Sequence, residues 1–249
     1  MKSFVKLALA ALCASALPAP AALAMTVQPV VVDLQTAGRS MSQVITVENT
    51  FATPLPVELT VQELELTPTG IKPTGQDPGD LLVFPPQAII APGQTQTFRV
   101  QYVGDPALAK SKHYYITVAQ LPVKLPEGQS AIQILYNFQV LVSVAPAATK
   151  PALSIGGSRI TRNDAGKPVP VITLKNSSAA HGYLANGQLR LIEKDASGKE
   201  VFRKALSGAE IQQTIGFGLV GGNQTRDMTL PIELPAAEGT VEASFTPEG

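Results

Sequence analysis

Apolar and polar residues alternate along much of this chain, with a period of two. Phe98, Val100 and Tyr102 are separated by Arg99 and Gln101, and Met41, Gln43, Ile45 and Val47 share one side of an earlier stretch. Val57 to Leu64 alternates as well, and Tyr114 to Leu121 is another such run, closed by Pro122. Successive strand side chains point to opposite faces, so the pattern predicts strands with one buried side. No sustained i, i+3, i+4 stripe interrupts it, apart from a single turn around Pro106 to Ala109. Turn-forming clusters punctuate the runs at Asn49 to Pro56, Pro85-Pro86 and Ala91-Pro92-Gly93.

The alternation stops at Ala145-Pro146-Ala147-Ala148-Thr149-Lys150-Pro151, a small-residue and proline segment suited to a linker. It resumes in Val171 to Leu174, Gln188 to Ile192, Met228 to Leu234 and Val241 to Phe245. Short strands roughly 8–12 residues apart with turns between them predict β-sandwiches. The expected organisation is a domain over 25–146, a linker over 147–151 and a second domain over 152–249. The first 24 residues have a different character. Lys2 and Lys6 precede the apolar run Leu7 to Leu17, and Ala22-Leu23-Ala24 supplies a small-x-small cleavage pattern. Residues 1–24 therefore form an expected export signal, with the periplasm as destination. The apolar run falls short of the ~20 residues that span a membrane, so no membrane insertion is expected.

Composition narrows the choice of function. Lys plus Arg and Asp plus Glu are 19 each, and charged residues make up 15% of the chain, against about 25% in ordinary domains. Without a basic stripe, nucleic-acid binding is excluded. Cleavage after Ala24 would remove Lys2, Lys6 and the single cysteine, Cys13, leaving 17 basic against 19 acidic residues. Two histidines, His113 and His181, in different predicted domains and no thiolate make a metal site implausible. His113 is expected at a strand edge. No G-x-S-x-G elbow is present, and Gly216-Phe217-Gly218 and Gly221-Gly222 are expected turns rather than phosphate loops. No catalytic residue and no cofactor is assigned.

One stretch departs from a half-buried strand. From Ile132 to Val144, one parity carries Ile132, Ile134, Tyr136, Phe138, Val140, Val142 and Val144. No charged residue occurs between Ala131 and Thr149. At ~3.3 Å per residue such a strand would reach about 43 Å, roughly twice the usual length. A long, uncharged, bulky strand left at a sheet edge invites pairing with another chain; buried on both faces it would be a central sandwich strand.

Four segments, in order, resemble the periplasmic chaperones of the chaperone/usher pilus-assembly pathway. They are Gly38 to Asn49, Phe84-Pro85-Pro86 with Ile90 to Val100, Tyr114 to Pro122, and Ile132 to Pro146. The resemblance implies an all-β protein of two immunoglobulin-like β-sandwich domains, set at an angle with a cleft between them. It implies binding, folding and capping of pilus or fimbrial subunits by donor-strand complementation, with delivery to an outer-membrane usher and no nucleotide. Ile132, Ile134, Tyr136 and Phe138 match the residues that such chaperones insert into the subunit. The family anchors the subunit's C-terminal carboxylate with an Arg in the first strand and a Lys in the last. Here those places fall at Val32 or Asp33 and at Leu141, and Ala145 stands where an interdomain Arg is common. Lys112 and Arg99 are the candidate replacement cations. The competing reading is a secreted two-domain structural or adhesive module; a sandwich hydrolase is a third.

Overall fold

Strands form where the alternation places them, and their buried parity fixes which sheet face turns inward. The computed structural model describes residues 25–123, 134–236 and 238–248; the expected signal segment and Ile132 lie outside these. In the first half, β1 (Met25–Gln28), β3 (Ser42–Asn49), β8 (Thr95–Tyr102) and β6 (Leu81–Phe84) pair in that order. The facing sheet runs β2 (Val31–Gln35), β10 (Asn137–Ala145), β9 (Lys112–Gln120), β4 (Leu55–Leu66) and β5 (Ile71–Pro73), with β7 (Gln87–Ile90) also on β4. All these pairs are antiparallel except β2 with β10. Ile45, Val47, Phe98, Val100, Ile116 and Val142 are among the side chains that fill the space between the sheets.

The second half repeats the plan with shorter sheets. β11 (Leu153–Arg162), β12 (Pro168–Asn176) and β17 (Thr225–Thr229) form one, and β15 (Glu200–Leu206), β14 (Gly187–Asp195) and β18 (Gly239–Pro247) another. β13 (Gly182–Tyr183) pairs β16 (Leu219–Val220). Ile172, Leu174, Leu189, Leu191 and Leu230 lie in the core of this sandwich. One element lacks a periodic apolar stripe in the sequence: helix α1 (Gly208–Ile215). Its start is marked instead by a capping box. The Ser207 hydroxyl accepts from the Glu210 N–H, and the Glu210 carboxylate accepts from the Ser207 N–H at 2.8 Å. Gly216 closes the helix at φ 76°, a conformation that suits glycine.

Alternation on β4 changes sides partway. Leu55, Val57 and Leu59 face the first core, whereas Leu64 joins a third apolar cluster with Leu141, Tyr183 and Leu219. That cluster joins the two sandwiches. Backbone bonds accompany it: the Ser111 N–H donates to the Ala179 carbonyl at 3.0 Å, and the Asp227 N–H to that of Pro68 at 2.9 Å. Among the described residues, no helix is long and apolar enough to cross a membrane.

Candidate functional site

The uncharged stretch forms β10, but the regular strand is shorter than the sequence pattern, covering Asn137–Ala145. The reason lies in its neighbour. β9 ends at Gln120, before Pro122, which has no N–H to continue a ladder. Residues 134–136 keep only a fringe of pairing, through the Gln120 N–H to the Tyr136 carbonyl at 3.0 Å and the Tyr136 N–H to Gln120 Oε1 at 3.3 Å.

On its other side β10 is half covered. β2 pairs only with Leu141 to Ala145, and the Leu141 N–H donates to the Val30 carbonyl at 3.0 Å. Backbone groups alternate between the two edges of a strand. Those of Leu135, Asn137 and Gln139 therefore point to an edge that no strand pairs among the described residues. β10 is thus a central strand at its C-terminal half and an edge strand at its N-terminal half.

Side-chain parity continues across this change. Val140, Val142 and Val144 are fully buried in the first core, and Phe138 packs against it. Farther out on the same parity, Tyr136 is 37% exposed and Ile134 69% exposed. The Tyr136 ring lies against Phe51, at 5.9 Å between centroids. The core-facing row therefore extends past the end of the sandwich, and its outer bulky side chains, Ile134 above all, are exposed among the described residues. Unpaired backbone and uncovered apolar side chains on one strand form a template for strand addition.

The two candidate cations lie elsewhere. Lys112, at the start of β9, is opposite Val144, the far end of β10 from the open edge. Its ammonium is held by Asp80 Oδ2 at 2.8 Å and lies 3.8 Å from Glu63 Oε1. The Asp80 hydrogen bond raises the Lys112 pKa. Burial pushes the Asp80 carboxyl upward, but the bonds from Lys112 and Tyr114 outweigh it and hold the group below its usual value. Arg99 lies on β8 in the opposite sheet, exposed and across from Val44 and Phe84. Neither cation reaches the open edge of β10.

Between the sandwiches a cavity of about 760 Å³ opens beside that edge, lined in part by Val30, Gln139, Leu141, Tyr115 and Arg226. Leu141 is buried among interdomain side chains, so this position makes an apolar domain contact where the family places a Lys. Arg226, on β17, is a cleft residue that sequence reasoning did not single out. Its guanidinium donates through Nη1 to the Leu219 carbonyl, while Nε is buried without a partner. Burial lowers its pKa. No carboxylate pairs with it among the described residues, because adjacent Asp227 is taken by Arg159 at 2.9 Å and Thr173 at 2.6 Å. Linear spacing gave no signal for Arg226: its place depends on how β17 meets the first domain.

The histidines also differ from their expected places. His113 is not at a sheet edge; it lies between Ser143 on β10 and Leu64 on β4, only 3% exposed. His181 crosses the domain boundary to meet it, with ring centroids 5.4 Å apart. Burial, then the charges of His181 and Lys110, lower the His113 pKa to about 3. The unfolded chain binds this proton near pH 6.5 and the folded chain only near 3, so stability is full above 6.5 and falls as pH drops towards 3. Between pH 7 and pH 5 the expected loss from this group is about 2 kcal/mol. Urea titrations at both pH values are expected to show a smaller loss for His113→Asn; an equal loss would remove His113 as the cause.

Comparison with known proteins agrees with this architecture. The profile of the pili and flagellar-assembly chaperone family, PapD N-terminal domain, matches residues 24–150, half of the chain. No curated protein sequence matches. Among solved structures, the chain is similar to one in a chaperone–tip adhesin complex of CFA/I fimbriae biogenesis, with 15% identity and a TM-score of 0.52 over 90% of this chain and 100% of that one. It is also similar to one in the CsuC–CsuE chaperone–tip adhesion subunit complex of Acinetobacter baumannii, with 15% identity and a TM-score of 0.51 over 88% and 97%. A third is in the Salmonella enterica SafA pilin–SafB chaperone complex, with 15% identity and a TM-score of 0.51 over 90% of each chain. These likenesses establish the fold of two β-sandwiches, and with the profile match over the half that carries β10, the chain belongs to the family of pili and flagellar-assembly chaperones.

Proposed function

We propose that this chaperone acts in the periplasm, binding, folding and capping pilus or fimbrial subunits by donor-strand complementation and delivering them to an outer-membrane usher. The observation that carries the reading is the open edge of β10, whose core-facing row continues outward as Phe138, Tyr136 and Ile134. A subunit sandwich lacking a strand would take backbone bonds from Leu135, Asn137 and Gln139 and side chains from Ile134 and Tyr136. Ile132 belongs to the same row but lies outside the described residues. The role is non-enzymatic and needs no cofactor: binding energy from strand addition does the work. The domain assignment proposed with it is an export signal over 1–24, sandwiches over 25–146 and 152–249, and a linker over 147–151.

The anchor for the subunit's terminal carboxylate is assigned to Arg226 rather than to Lys112 or Arg99. A strand added along Leu135 to Gln139 runs in line with β2 and must stop where Val30 and Val31 begin. The cleft holding Arg226 opens there. A half-buried guanidinium without a counter-charge gains from a carboxylate. A charge-assisted bond of about 1.5–3 kcal/mol corresponds to roughly ten- to a hundredfold in affinity. Arg226→Ala is expected to weaken capture by that factor, measured by titration with purified subunit, and Lys112→Ala by much less. An equal loss for the two variants would remove Arg226 as the anchor.

The reading as a whole is tested by recovering the chain from a periplasmic extract of its native host and weighing the complex by mass spectrometry. Recovery with a β-rich exported subunit in equal stoichiometry is expected. Recovery only as a free chain would overturn it.

A further inference from the structure

A second unpaired sheet edge borders the cleft between the sandwiches. β17 is the last strand of the sheet β11–β12–β17, so one of its sides has no strand partner among the described residues. Its pairing with β12 fixes which backbone groups lie on that side. The Asn176 N–H donates to the Gln224 carbonyl at 2.8 Å and the Leu230 N–H to the Pro170 carbonyl at 2.9 Å. Between them, Arg226 stands opposite Leu174 and Met228 opposite Ile172. Backbone groups alternate between the two sides of a strand, so Arg226 and Met228 face β12 while Asp227 and Thr229 face away from it. The bond from the Asp227 N–H to the Pro68 carbonyl, at 2.9 Å, agrees with this and shows that the free side looks towards the first sandwich.

That bond uses one donor. The Asp227 carbonyl and both backbone groups of Thr229 have no backbone partner among the described residues. Pro231, next on the same side, has no N–H and closes the row. The gap takes one residue of an extended peptide, in either direction. A parallel residue gives its N–H to the Asp227 carbonyl and accepts from the Thr229 N–H; an antiparallel one exchanges both bonds with Thr229. Asp227, Thr229 and Pro231 line the same cavity as Val30 and Gln139, where the open half of β10 stops, and Arg226 lines it too.

We propose that β17 is a second strand-pairing edge: the last residues of a captured subunit, on leaving β10, pair their backbone with Asp227 and Thr229 of the second domain. This rests on the reading of β10 as the donor strand. Three features of the cleft identify the occupant. A strand added along Leu135 to Gln139 must leave β10 where β2 takes over at Leu141, and the cleft opens there. The exit is bordered by free backbone groups, which bind an extended chain whatever its side chains. A helix spends its backbone groups internally and could not fill this edge. Arg226, with no carboxylate partner among the described residues, gives the terminal carboxylate of such a chain its end point. The second sandwich thereby holds the subunit's end by its backbone, so subunits with different terminal side chains are held alike.

The probe is the complex recovered from a periplasmic extract of the native host, with the free chain as reference. In hydrogen–deuterium exchange the Thr229 amide is expected to exchange fast in the free chain and to slow by about tenfold or more in the complex. Thr229 is exposed and lies on a sheet edge, where proline is tolerated. Thr229→Pro therefore removes the free donor and leaves the bonds to β12 in place. It is expected to weaken binding of the purified subunit by about fivefold, whereas Thr229→Ala, which keeps the N–H, binds as the wild type does. Fast exchange at Thr229 in a complex that protects Leu135, Asn137 and Gln139 would overturn pairing with β17 and leave the donor strand standing. Fast exchange at all four amides would overturn both. Equal losses for Thr229→Pro and Thr229→Ala would assign the effect to the side chain and overturn the backbone pairing.

Discussion

Replacing Ile134 or Tyr136 with aspartate is expected to abolish capture of a pilus subunit while the purified chain stays folded. Ile134 is 69% exposed and Tyr136 37%, so the free protein has little packing to lose at either place. Each side chain would contribute about 1.5–3 kcal/mol on burial in a partner. Burying an unpaired carboxylate there costs several kcal/mol more. A combined loss of about 5 kcal/mol corresponds to a fall of more than a thousandfold in affinity. The check is co-purification with the subunit, with circular dichroism to confirm the fold. Capture at the wild-type level by either variant would remove this segment from the binding site.

The second large effect is expected at Tyr183, whose ring lies in the apolar cluster between the sandwiches and whose hydroxyl donates to Asp33. Truncation by Tyr183→Ala opens a cavity at a site only 5% exposed, at about 3 kcal/mol. Tyr183→Phe keeps the ring and removes the hydroxyl with its bonds to Asp33 and Ser143, at about 1 kcal/mol. Thermal unfolding is expected to fall by about 8 °C for the first and by about 3 °C for the second. Equal falls would assign the contact to the hydroxyl alone, and an unchanged Tyr183→Ala would mean that the sandwiches hold together without it.

How far the sequence carries depends on the range of the interaction. Burial alternates with a period of two, so β4, β8 and β9 are legible from their own residues, and so is the row from Phe138 to Val144. The uncharged bulky row of β10 was legible as well, but whether it lay at a sheet edge or in the middle of a sheet was not. The strand's shortening was not, since it follows from Pro122 ending the neighbouring strand. Helix α1 had a readable start in Ser207 and Glu210, but eight residues give too few turns for a periodic stripe. The interdomain contacts were illegible. His113 and His181 are 68 residues apart in the chain, and only the meeting of β9 with β13 makes them neighbours. The resemblance placed lost anion-anchoring positions at Val32 or Asp33 and at Leu141, whereas the fold uses Asp33 as a hydrogen-bond acceptor for the second domain and Leu141 as its apolar contact. Arg226 became visible only as a cation with no carboxylate partner among the described residues, in a cleft that neither domain forms alone.

The central claim is that the open half of β10 becomes a paired strand when a subunit binds. Hydrogen–deuterium exchange of the Leu135, Asn137 and Gln139 amides, with and without bound subunit, tests it most directly. These three are expected to exchange fast in the free protein and to become strongly protected in the complex, while the already paired amides of Leu141 and Ser143 change little. Continued fast exchange at Leu135, Asn137 and Gln139 in a saturated complex would contradict the account.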